Sequence, residues 1–215
     1  MTEEDHVDLI PEVEQKLPEI LAKPFEEAID ALHVLERKTR IAKDDKANNR
    51  VCKEIVNFCI EKQRWDDLGT NVSILAKRRG YFRSSITKAV QISMEHLNDI
   101  SNEETKIKLV RTLCEVTEGK IFVEVERARL TEILVDYLEK KGDLVEAMNL
   151  LQDLRLEILS TMDENERIGL MLHQFKLCLQ CNDQLRASLC SEKIRDQHLE
   201  DKDLRLQYLE LLITY

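Results

Sequence analysis

The sequence predicts an all-α protein: a right-handed α-solenoid of stacked helical hairpins, TPR- or HEAT-like, with no sheet. The first observation is that 215 residues include only 5 glycines and 3 prolines, all three prolines within residues 1–24. Sandwiches, barrels and doubly wound sheets need many turns, which these two residue types supply. The second is that apolar residues recur at spacings of three and four from residue 25 onward, the period of one buried helix face.

The third observation is a period near 40 residues. Turn-and-helix segments begin at Phe25, Trp65, Leu144 and Gln184, which are 40, 79 and 40 residues apart. A two-helix unit of this length is typical of α-solenoids, whose neighbouring hairpins bury one another's apolar faces. An ordinary globular helical bundle is the alternative. The residues expected to pack the repeats together are Phe25, Ala28, Trp65, Leu68, Leu144, Ala147 and Ala187.

Residues 1–24 are expected to form an acidic flexible leader, and residues 25–215 the helical-repeat solenoid. Pro24 suits the first turn of the first helix, where its missing N–H costs nothing. Later helices start at two capping boxes, Ser101–Glu104 and Thr161–Glu164. Gly142 follows an apolar run, where a left-handed C-cap favours glycine. The predicted helices are 25–40, 47–62, 65–79, 83–99, 102–117, 121–141, 143–159, 163–180, 183–197 and 201–215.

Motifs for catalysis are missing from the sequence. There is no P-loop, no Gly-x-Ser-x-Gly elbow and no His-Glu-x-x-His. Cys178 and Cys181 form one Cys-x-x-Cys, but Cys178 is in phase with apolar residues, so packing is favoured over zinc. We therefore expect no enzyme activity, no catalytic, cofactor-binding or metal-binding residue, and no cofactor.

The compartment is inferred from the cysteines and from the N-terminus. Six cysteines without a secretory signal indicate reduced thiols, and the acidic N-terminus has the wrong charge for a transit peptide. The longest apolar runs fall short of 18 residues, so no membrane helix and no membrane partner are expected. A cytoplasmic and nuclear location follows.

A basic cluster is the strongest candidate for an interaction site. Net charge is −10, yet residues 36–88 hold fourteen basic and seven acidic residues, a local +7. Three alternatives are open: a solvated helix end, docking onto an acidic protein, or nucleic-acid binding with stacking on Tyr81 and Phe82. A pI near 5.1 disfavours nucleic acid. The predicted interaction residues are Lys77, Arg78, Arg79, Arg83 and Lys88.

Residues 116–134 (VTEGKIFVEVERARLTEIL) resemble a signature segment of proteasome regulatory-particle lid subunits of the non-ATPase regulatory subunit 12 type, a PCI family. Residues 35–40, 75–79 and 150–154 give weaker support. The resemblance implies an N-terminal solenoid followed by a winged-helix PCI domain, without catalytic activity. It also implies a scaffold role in ubiquitin-dependent degradation, with lid subunits, the ATPase ring and the core particle as partners.

The resemblance stops short of the PCI domain, because residues up to Tyr215 show helical repeats and no winged-helix pattern. The chain is therefore expected to be an N-terminal part of such a subunit. The uncapped C-terminal end, apolar on one side, is expected to favour self-association. The alternative functions are a nucleic-acid-associated helical-repeat protein using the basic cluster, or the related signalosome subunit.

Overall fold

The computed structural model describes residues 8–195 and 200–215 and confirms the all-α class: no strand occurs in these residues. Contacts divide the chain into two compact units, ending at Phe122 and beginning at Val123, although the sequence suggests one continuous solenoid. The helices of the first unit are α1 (Ile10–Leu21), α2 (Phe25–Ile41), α3 (Asp45–Glu61), α4 (Trp65–Lys77), α5 (Arg83–Glu95) and α6 (Glu103–Thr117). Those of the second are α7 (Glu124–Lys141), α8 (Leu144–Gln152), α9 (Glu164–Gln180), α10 (Gln184–Arg195) and α11 (Lys202–Thr214).

Within each unit, helices pack on both the next helix and the next but one, which is the arrangement of stacked hairpins. In the first unit α3 contacts α2, α4 and α5, and α4 contacts α6. In the second unit α9 contacts α8, α10 and α11. Helices therefore bury apolar residues both against their neighbour in the chain and against a helix of the adjacent hairpin, as expected for stacked hairpins.

Four interhelical turns have the same backbone geometry. Lys43, Gln63, Gly142 and Asn182 all have φ between +54° and +83°. In each turn the next amide donates to the carbonyl five residues earlier, as from Asp143 to Leu138 at 2.9 Å. This closure satisfies carbonyls that a helix end leaves unpaired. Gln63, Gly142 and Asn182 are 79 and 40 residues apart, the same spacing as the helix starts Trp65, Leu144 and Gln184.

Part of the expected flexible leader is a helix. Residues 10–21 form α1, which packs on α2 and α3 and buries Val13, Leu17 and Ile20. Those three residues are spaced by four and three, so one face of α1 is apolar. The amide of Leu9 also donates to the Asp44 carboxylate at 2.8 Å. The expectation of flexibility is therefore wrong for residues 10–21.

Smaller differences concern helix ends. The helix predicted over 143–159 stops at Gln152, and residues 156–158 form a 3₁₀ turn in which Ile158 is exposed. The capping oxygens are those of Asn102 and Asp163, not the hydroxyls of Ser101 and Thr161. A short Asx side chain directly before the helix reaches the free amides of the first turn.

Candidate protein-docking surface

The predicted interaction residues lie at the junction of α4 and α5 and are called here the basic surface: Lys77, Arg78, Arg79, Arg83 and Lys88. Four of them have exposed side chains, but the Arg78 side chain is only 22% exposed. The structure thus separates Arg78 from the other members of the basic surface.

Arg78 points inward to Glu36, a buried residue on α2. The Glu36 side chain is 3% exposed and pairs through one carboxylate oxygen with Arg78 and through the other with Arg40 Nε, 2.9 Å away. Asn48 Nδ2 donates to the Glu36 carbonyl at 3.2 Å. A buried charge needs such partners, because an unpaired carboxylate in the interior carries a large desolvation cost.

The same group of residues fixes the loop that follows α4. Arg40 Nη1 donates to the carbonyl of Arg79 at 2.7 Å, so the loop is held at Arg78 through its side chain and at Arg79 through its backbone. Asn48 also accepts a hydrogen bond from Ser85, on α5, at 2.9 Å. The buried network therefore joins α2, α3 and α5 to the end of α4.

Aromatic contacts hold the far side of the loop. The ring of Tyr81 packs on Phe122 with centroids 6.2 Å apart, and the Arg83 guanidinium lies 5.8 Å from the same ring. Tyr81 and Phe82 are half-buried. Tyr81 is therefore engaged within the protein, whereas base stacking needs free ring faces.

The exposed members of the basic surface have no acidic partner within residues 8–195 and 200–215, where no carboxylate pairs with Lys77, Arg79, Arg83 or Lys88. Some exposed cations of the same unit are paired, as Arg64 is with Glu26 and Asp67, while others among the described residues, such as Lys53, have no carboxylate partner. What distinguishes the basic surface is that four such cations lie close together in sequence. An unmatched basic surface on a chain of net charge −10 is suited to an acidic protein partner.

The residues predicted to pack the repeats occupy different environments. Phe25 is half-buried, stacks on Phe58 with centroids 5.4 Å apart, and is covered by the Arg64 guanidinium at 4.1 Å. Leu144 is half-buried. Of the predicted packing residues, four have no exposed surface: Ala28, Leu68, Ala147 and Ala187.

Trp65 is only half-buried and lines an open groove between α4 and α6, together with Lys77. Lys108 bridges this groove to Asp66, 2.7 Å away. Gly69 lets α6 approach, since a Cβ there would lie 3.4 Å from side-chain atoms of Leu109 and Thr112. The groove adjoins the basic surface through Lys77.

The Cys-x-x-Cys pair separates in the structure. Cys178 is buried and shares a hydrogen-bond donor, Gln152 Nε2, with Cys190, at 3.1 and 3.3 Å respectively. Cys181 instead donates to the carbonyl of Leu144. A hydrogen bond from the Cys178 thiol lowers the pKa of Cys190, against the effect of burial. His198, another neighbour in sequence, lies outside the described residues.

Glu36 is the site residue that the sequence analysis missed. It lies in the segment 35–40 and its pairing with Arg40 at i,i+4 is a visible signal. Its pairing with Arg78, 42 residues away, gives no such signal.

None of the described helices has the combination of length and apolar character needed to span a membrane.

The fold defines an all-α protein built from stacked helical hairpins. A family model described as PSMD12/CSN4, N-terminal matches residues 27–215, and the chain belongs to this family. The resemblance seen in residues 116–134 is thereby confirmed.

Several curated proteins are similar to the chain. The 26S proteasome non-ATPase regulatory subunit 12 of Dictyostelium discoideum is 36% identical over 192 residues, covering 88% of this chain and 43% of that protein. The 26S proteasome regulatory subunit RPN5 of Saccharomyces cerevisiae is 33% identical over 216 residues, covering 98% and 48%. The chain thus spans about half the length of these relatives. Their names favour the proteasome over the signalosome alternative.

Proposed function

We propose that this chain is the helical-repeat arm of a non-catalytic scaffold subunit of the proteasome regulatory lid, acting in ubiquitin-dependent protein degradation. Family membership over residues 27–215 and relatives named as non-ATPase regulatory subunits support the proposal. Its partners would be other lid subunits, the ATPase ring and the core particle, in the cytoplasm and nucleus.

The observation that carries the docking role is the fixed, unmatched basic surface. Arg78 and Arg40 anchor the loop to buried Glu36, while Lys77, Arg79 and Arg83 remain exposed. A surface held in place before binding loses little conformational entropy on association. Charge complementarity would bring an acidic partner surface to it, with affinity that falls as salt is added.

The test is capture of proteasome subunits from a eukaryotic lysate, identified by mass spectrometry. The variant Lys77→Glu/Arg79→Glu/Arg83→Glu leaves Arg78 and its pairing with Glu36 intact. The matched control Lys23→Glu/Lys53→Glu/Lys62→Glu changes the charge equally at exposed positions of the same unit. We expect capture by the wild type and the control, and loss in the basic-surface variant.

The other outcomes are also decisive. Capture by all three proteins would retain the scaffold role and reject the basic surface as the docking site. Capture by none, with lid and core subunits abundant in the lysate, would reject a docking role for these helical repeats. Preferential capture of nucleic acid, abolished by nuclease, would favour the nucleic-acid alternative.

A further inference from the structure

A groove of about 630 Å³ opens between α7, α9 and α11 of the second unit. It is lined by Glu132, Asp136 and Glu139 of α7 and by Glu210 of α11. The first three are spaced by four and three residues, so they lie on one helix face. The groove is open to solvent and distant in sequence from the basic surface.

His173 from α9 also lines this groove and contacts one of the carboxylates. Its Nε2 lies 2.8 Å from Glu139 Oε2, and Lys176 Nζ lies 3.3 Å from Glu139 Oε1. One ligand atom each from Asp136, Glu139 and His173 lie within 4.8 Å of one another. Imidazole nitrogen and carboxylate oxygen are both zinc ligands, with metal–ligand distances near 2.0–2.2 Å.

Negative charge in the groove is only partly compensated. Across the described part of the chain, Asp136 has no ion-pair partner, whereas Glu139 pairs with both His173 and Lys176. Burial, followed by the charge of Asp136, raises the pKa of Glu132. A cation placed beside Asp136 would relieve this repulsion.

We propose that Asp136, Glu139 and His173 form a Zn²⁺ site that joins α7 to α9. The ion would replace the hydrogen bond between His173 and Glu139, and small rotations of three side chains would bring their ligand atoms to bonding distance. Water from the open groove would complete a four-coordinate shell. Lys176, whose side chain is 48% exposed, would swing into solvent. The imidazole ligand selects Zn²⁺ over Mg²⁺ and Ca²⁺, which prefer oxygen.

The packing of the helices supports a site that can form without movement of the backbone. Arg129 on α7 forms a bidentate pair with Glu166 on α9, at 2.6 and 2.9 Å. This bridge and the Glu139–His173 contact fix the two helices at two points along their length. Metal binding would therefore need side-chain movement and no change of helix position.

The experiment titrates Zn²⁺ into the full chain by calorimetry and Co²⁺ by visible absorption, with reducing agent present. We expect one ion per chain, a tetrahedral Co²⁺ spectrum and a rise in Tm on metal addition. Asp136→Asn and His173→Ala should each weaken Zn²⁺ binding by at least about 100-fold, the upper range for changes beside a metal ligand. Circular dichroism of the metal-free variants verifies that they are folded, and Asp136→Asn removes no existing ion pair.

Two control variants locate the ion. His96 forms a 2.6 Å pair with Asp99 but belongs to no three-ligand cluster in the described residues, so His96→Ala should leave Zn²⁺ affinity unchanged. Cys190→Ser tests binding at the buried thiols and should also have no effect. Absence of stoichiometric binding, equal affinity in wild type and His173→Ala, or loss in Cys190→Ser would each overturn the proposal.

Discussion

A single buried carboxylate, that of Glu36, determines where two arginines point. Arg40 and Arg78 both pair with it, and their side chains are 17% and 22% exposed. Removing the carboxylate would leave two guanidinium groups facing a buried amide or hydrocarbon. The loss of stability would come mainly from leaving two guanidinium charges without a carboxylate partner, and less from losing the attraction itself.

We predict that Glu36→Gln lowers the free energy of unfolding by about 2 kcal/mol, less than the ~3–5 kcal/mol of a fully buried pair because both arginines are partly solvated. Urea unfolding followed by circular dichroism measures the change. Glu26→Gln is the matched control, since Glu26 pairs with Arg64 at the surface and should cost less than about 1 kcal/mol. Equal effects of the two variants would contradict the role given to Glu36.

The same residues show what sequence patterns miss. Arg78 falls in a visible run of basic residues and is predicted to be exposed, but the fold brings Glu36 to it from 42 positions away. The zinc ligands are equally hidden, since His173 is 34 positions from Glu139. Local spacing predicts which residues share a helix face, whereas side-chain partners on different helices depend on how the hairpins stack.

At the scale of elements, the repeated turn predicts opposite effects on the free energy of unfolding for two substitutions. Gln63 and Gly142 occupy the same left-handed position, with φ of 54° and 83°. A side chain at positive φ costs roughly 1–2 kcal/mol, partly offset by the greater unfolded-state entropy of glycine.

We therefore predict that Gln63→Gly raises the free energy of unfolding by about 0.5 kcal/mol, while Gly142→Gln lowers it by about the same amount or more. Chemical denaturation of both variants measures the two changes. No atom lies within 4 Å of a Cβ built at Gly142, so a loss there would reflect backbone conformation and not a clash. A Gly142→Gln variant more stable than the wild type would show that a side chain at this position carries no conformational cost.

The attachment of α1 should depend on pH. Hydrogen bonds from Lys16 and Lys38 lower the pKa of Glu12 from 4.5 to about 2, and Lys38 lies on the neighbouring α2. Because the folded-state pKa is depressed, this contribution is fully present above pH 4.5 and is lost as pH falls towards 2. No helix is predicted for residues 1–24, which contain all three prolines. In the structure α1 accommodates two of them, Pro11 in its first turn, where proline is tolerated, and Pro18 inside the helix.

We predict that amide exchange in α1 accelerates relative to α2 as pH falls through this range, after correction for intrinsic rates. Glu12→Gln should exchange faster at pH 7 and lose the extra pH dependence. Nuclear magnetic resonance of single amides provides the measurement. An unchanged protection of α1 in Glu12→Gln would show that the apolar face alone holds the helix.

At the scale of the whole molecule, the helices were predictable and the division into units was not. Each of the ten predicted helices has a counterpart, because amphipathic spacing and turn residues act locally. The boundary between Phe122 and Val123 falls inside a predicted helix, over 121–141, and has no proline or linker composition. It reflects the density of contacts within each unit, which no single segment encodes.

We predict that a fragment ending at Phe122 folds on its own, because its helices pack on neighbours within the same unit. It should keep helical circular dichroism and unfold cooperatively in urea, with an m-value roughly half that of the full chain. A fragment with little helix, or with a broad non-cooperative transition, would show that the first unit requires the second.

Trp65 gives the protein a built-in optical reporter. It is the single tryptophan of the sequence, half-buried in the groove that Lys77 also lines. An acidic partner seated on the basic surface would change the solvent around this indole, so its emission wavelength and quenching by iodide would report occupancy without any label. Light emitted by the unmodified chain could then follow docking in real time.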